Sequence, residues 1–132
     1  TMPNTEKPTL HLTPQEIEFC ISALQIEIEN VDHDTQTNEL SETDCKELDA
    51  YAQRLGAVQD QLLIGQTDFR PDTLLPVYDL IKSQRNALND ILDYEDVAPD
   101  MRQQGQQHVR TANSVLRRLK KYLREFEIET HT

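Results

Sequence analysis

Apolar residues recur along this chain in alternating steps of three and four, the spacing of helices that each bury one stripe. The longest unbroken run is Val109 to Phe126, where Val109, Ala112, Leu116, Leu119, Leu123 and Phe126 step by 3, 4, 3, 4 and 3. Val115 and Tyr122 widen this stripe, and neither Gly nor Pro interrupts it. One amphipathic helix cannot cover its own apolar face, so the rest of the chain must supply facing helices.

The other helices carry their own start and stop signals. Thr13-Pro14-Gln15-Glu16 combines a capping threonine, a proline at the first helical position and a glutamate that reaches back to the cap. It predicts a first helix over 14–30 with Ile17, Ile21, Leu24, Ile28 and Val31 as its seam. Phe19, Ala23 and Ile26 fall off that seam and form a second stripe, while the alternation of Leu24 to Glu29 offers a strand as a weaker alternative. The polar segment Val31 to Leu40 reads as an exposed loop. Ser41-Glu42-Thr43-Asp44 opens a second helix over 41–64, with Leu48, Tyr51, Leu55, Val58 and Leu62 inward and Gly65 as its stop.

Phe69 reads as a buried anchor in the next connection, and Pro71 as a break. Thr73 then caps a third helix over 73–95, with Leu74, Val77, Tyr78, Ile81, Leu88, Ile91 and Leu92 inward. Arg85 lies on that apolar line and is expected at the rim or paired. Pro99 opens a fourth helix over 98–128. Residues 1–12, with Pro3 and Pro8, read as a flexible arm from which Leu10 and Leu12 could lie across a groove. The expected architecture is all-α: an antiparallel up-down-up-down four-helix bundle, one domain over 13–130, preceded by the arm.

Composition agrees, since 132 residues with three Gly and no Trp suit helices better than a β-sandwich or barrel. The net charge of −11 is unevenly spread: −10 over residues 1–50, −5 over 51–100 and +4 over 101–132. Such a chain repels nucleic acid and anionic membranes unless a local basic patch prevails. Lacking an apolar run of spanning length and a signal-like N-terminus, it is expected to be cytoplasmic. Cys20 and Cys45 are then expected as reduced thiols.

Candidate chemistry is sparse. His11, His33, His108 and His131 form no metal-binding motif. Asp90, Asp93 and Asp96 repeat at three-residue spacing, and Glu39 and Glu42 form one Glu-x-x-Glu pair. All-α Mg²⁺-dependent nucleotide pyrophosphatases need two such pairs close together on adjacent helices; here the second acidic group lies far along the chain. Arg102 and His108 have a spacing similar to the Arg-x(4–6)-His element of HEPN-type ribonucleases. That resemblance would imply RNA cleavage at these two residues, although Gln103 stands where the family usually has Asn, Asp or His. No metal, cofactor or catalytic residue is expected.

Two surfaces remain. With Val109 at heptad position a, Arg110, Arg117 and Arg124 fall at b, Arg118 at c and Lys121 at f, all directed outward rather than toward neighbouring helices. These five form the candidate partner-binding face. An acidic protein is favoured over nucleic acid because base stacking would have no outward aromatic beyond Tyr122. The second stripe of the first helix, Phe19, Ala23 and Ile26, could pair two copies as a homodimer. The expected function is a non-enzymatic interaction or regulatory module with a protein partner, with a ribonuclease or Mg²⁺-dependent hydrolase and a nucleic-acid binder as alternatives.

Overall fold

The computed structural model describes residues 9–37, 39–94 and 96–131, the last with backbone alone from 126; Thr37 is likewise described by its backbone alone. Four helices alternate up and down: α1 (Pro14–Thr37), α2 (Glu42–Leu63), α3 (Pro71–Leu92) and α4 (Pro99–His131). The all-α bundle is thus as expected. It is built as two close hairpins, α1 with α2 and α3 with α4, joined where α1 crosses onto both α3 and α4. Contact between α2 and α3 is slight. Of the N-terminal arm, residues 1–8 lie outside the described residues.

The start of α1 is a reciprocal capping box. Glu16 N donates to Thr13 Oγ1 at 3.1 Å, and Thr13 N donates to Glu16 Oε1 at 2.9 Å. The helix does not stop near residue 30, and the expected loop from Val31 is helical to Thr37. Val31 is buried, and one more apolar contact carries the helix through a polar segment that local composition alone would leave as loop. Thr35 and Gln36 turn back onto Asp32 and tie down the added turn. Ser41 caps α2 as expected, its hydroxyl accepting from Asp44 N at 3.1 Å. Gly65 follows α2 at φ 80°, the left-handed conformation that glycine enters without strain.

The start of α3 differs from expectation. Thr73 is not the cap. Arg70 occupies the cap position without a side-chain bond, and Pro71 begins the helix instead of blocking it, its preset φ and missing N–H both suiting the first helical position. Pro76 consequently lies inside the helix, where its missing N–H leaves the Asp72 carbonyl without its usual partner.

The core unites all four helices through Leu24, Leu55, Val58, Leu74, Ile81, Val115 and Leu119. Phe69 anchors the α2–α3 connection, as expected. Leu10 is also buried, and its N–H donates to Thr67 O at 2.7 Å, so residues 9–13 cross the bundle at the end that holds that connection. Leu80 joins the core though it was not in the predicted seam, while Ile91 of that seam is exposed. At the opposite tip, a Cβ on Gly105 would stand 2.8 Å from Leu92 Cδ2, so the α3–α4 hairpin closes there on a glycine.

Candidate functional site

The most connected polar cluster lies between the start of α1 and the middle of α4. Glu16, only 5% exposed, receives Ser114 Oγ at 2.7 Å and Arg118 Nε at 3.0 Å on Oε2, while Oε1 takes the Thr13 amide. Arg118 Nη1 donates onward to His11 O at 3.1 Å. Burial alone would raise the Glu16 carboxyl. The Thr13 amide, the Ser114 and Thr13 hydroxyls and the Arg118 charge together outweigh it and hold the group below the ordinary carboxylate value. The bonds of this cluster thereby join the segment before α1 to α4.

This refines one element of the expected basic face. Arg118 is exposed as expected, yet its guanidinium is also paired with Glu16, because a position intermediate between the outer face and the α1 seam meets the buried end of the capping box. Tyr122 is not outward. Only 2% exposed, its hydroxyl accepts from Phe69 N at 2.8 Å and donates to Phe69 O at 2.6 Å. Arg110, Arg117 and Arg124 are exposed as expected, with no ion pair among the described residues; Lys121 is exposed and approaches Glu125 at 4.0 Å. Lys120 is exposed beside them. Spaced by seven, Arg110, Arg117 and Arg124 run about 21 Å along the helix at 1.5 Å per residue.

The second stripe of α1 is divided by the fold. Ala23 is buried within its own chain, and its carbonyl accepts from Gln84 Nε2 at 3.2 Å, so it cannot belong to a contact between copies. Phe19 lies against His108, ring centroids 4.6 Å apart, at the floor of a groove of about 360 Å³ between α1 and α4. Ile26 alone stays half exposed.

Arg102 and His108 are not brought together. The Arg102 guanidinium caps the C-terminal end of α3, donating to Leu92 O and, at 2.8 Å, to Tyr94 O, whereas His108 faces Phe19 on α1. Asp90, Asp93 and Asp96 are all exposed, and the described residues hold no group of three His, Cys, Asp or Glu side chains placed to share a metal ion. Glu42 pairs instead with Lys46 at 3.5 Å. Arg85 sits at the rim, bonded to Asn113 at 2.9 Å and to Asn86, rather than to a carboxylate. Cys20 and Cys45 are both free; burial, reinforced by the Glu16 charge, pushes the Cys20 thiol up to about 12 and leaves it an unreactive core side chain. His33 lies on α1 rather than in a loop, and the His131 side chain lies outside the described residues.

Sequence reasoning missed the amides. Gln59 Nε2 donates to Ile21 O at 3.0 Å and Gln84 to Ala23 O, each joining helices through a carbonyl that helix geometry leaves partly accessible. No periodicity marks such residues.

Fold and side chains together define an all-α bundle whose best-connected polar groups serve its own cohesion. No family model, no curated protein and no solved structure matches this chain. Among the described residues no helix is long and apolar enough to cross a membrane.

Proposed function

We propose that this protein is a non-enzymatic interaction module that docks an acidic protein surface along the outer face of α4. The row formed by Arg110, Arg117 and Arg124 carries this reading. In a chain with 24 acids and 13 Lys and Arg residues, these three arginines lie aligned and exposed on one helix face with no ion pair among the described residues, and so leave a local positive strip. Spacing by seven places the guanidinium groups about 10 Å apart, which matches carboxylates repeated by heptads on a partner helix. Of the groups that a ribonuclease reading would need, Arg102 is engaged on the α3 carbonyls while His108 faces Phe19, which also favours binding over chemistry.

Fluorescence anisotropy with a labelled glutamate-rich peptide and a single-stranded RNA of equal charge tests this directly. The peptide is expected to bind at low salt, with binding abolished by Arg117→Glu plus Arg124→Glu and unaffected by Glu42→Gln. Unchanged affinity in the double variant would remove the proposal. Preference for RNA would shift the reading to a nucleic-acid binder, and RNA cleavage lost in Arg102→Ala would favour the ribonuclease alternative.

A further inference from the structure

A second surface, independent of the basic face, lies on the side of α4 that meets α1. These two helices run antiparallel, so seven residues forward on α1 matches seven residues back on α4. Phe19 and His108 touch at 4.6 Å. One heptad toward the tip, about 10 Å away, the same two lines carry Ile26 and Met101. Both are exposed, at 50% and 67%, and lie about one turn beyond the groove's own lining, which ends at Ser22 on α1 and Gln104 on α4. On α4 this line is continuous with buried Val115 and Tyr122, which places Met101 on the inward-facing side of its helix.

The rim of this groove has one sign. Helix α1 contains six acids and no Lys or Arg, and on α4 the sole Lys or Arg between Pro99 and Val109 is Arg102, which is held on the α3 carbonyls. Glu18 lines the groove, Glu29 follows on the outer side of α1, and Asp100 stands in the first turn of α4. A second copy of this chain would bring the same carboxylates to the same place and be repelled. A partner with cations around an apolar stripe gains on both counts.

We propose that the α1–α4 groove docks a basic amphipathic helix, its apolar face on Phe19, Ile26 and Met101 and its cations toward Glu18, Glu29 and Asp100. Such a helix presents apolar residues at i, i+3/i+4 and i+7, which span the distance between the Phe19 and Ile26 levels. The protein then has two docking faces of opposite charge preference.

The probe is a labelled eighteen-residue peptide of leucine and lysine with all leucines on one helical face, compared with a scrambled peptide of the same composition. The amphipathic peptide is expected to bind at physiological salt at least tenfold more tightly than the scrambled one. Ile26→Ser with Met101→Ser removes that preference while circular dichroism and the melting temperature stay unchanged, both residues being exposed already. Glu18→Gln with Glu29→Gln weakens both peptides and flattens the salt dependence, and Arg117→Glu does not weaken either. Equal binding of the two peptides, or a preference that survives Ile26→Ser and Met101→Ser, overturns the proposal. So does a wild-type dimer that Ile26→Ser dissociates, because the occupant is then a second copy.

Discussion

Glu16 is the residue through which the start of α1, the segment before it and the middle of α4 are joined. It caps its own helix, holds Ser114 and Arg118 of α4, and through Arg118 reaches the backbone at His11. Its role at the helix start was legible, because Thr-Pro-Gln-Glu is a local signal. Its second role was not, because Ser114 and Arg118 lie about a hundred residues away and their outward heptad positions give no hint of a buried partner. Replacing Glu16 by Gln removes the charge partner of Arg118, whose side chain is 43% exposed and so partly screened, and is expected to cost about 1 kcal/mol in chemical denaturation at neutral pH. The pH dependence follows from the lowered carboxyl. The folded form binds the proton less readily than the unfolded chain, so Glu16 stabilises fully above its ordinary value of 4.5, and that contribution fades as pH falls through the lower folded value. Denaturation midpoints of the wild type and Glu16→Gln should therefore converge on acidification below 4.5; a gap that widened there would contradict the assignment.

At the scale of elements, helix existence and order were readable from apolar periodicity, whereas two boundaries were not. Val31 decides where α1 ends, and its burial depends on neighbours that a local pattern does not contain. Pro71 is ambiguous in sequence because the same fixed φ that breaks a helix also begins one. The resulting position of Pro76 has a measurable cost. An interior proline disfavours a helix by about 3 kcal/mol, offset by roughly 0.4–1 kcal/mol through restriction of the unfolded chain. Pro76→Ala should accordingly raise stability by about 2 kcal/mol in urea unfolding, with an unchanged m-value. A loss of stability would mean that Pro76 packs in a way alanine cannot replace.

At the scale of the whole molecule, the charge asymmetry read along the sequence becomes a spatial one. The tips where α1 meets α2 and α3 meets α4 are rich in Asp and Glu, while the lower outer face of α4 is basic. The five cations proposed from heptad positions reduce to four once Arg118 is paired, and the α1 stripe proposed as a dimer contact reduces to a groove edge once Ala23 is buried. With like charge dominating each end and Ala23 unavailable, the protein is expected to show the mass of one chain by light scattering at physiological salt. A mass of two chains would restore self-association as a role.

The ties at the lower end also decide which covalent links the bundle depends on. Leu10 to Thr67, Tyr122 to Phe69 and Arg118 to His11 all converge on the 64–70 connection or on residues 9–13 beside it. A chain cut between α1 and α2 leaves each of those bonds between intact segments, and two fragments can reassemble around the same core. A cut between Gly65 and Arg70 severs the segment that both ends of the chain grip. The four-residue α1–α2 connection is thus expected to be a replaceable tether, and the seven-residue α2–α3 connection the clasp.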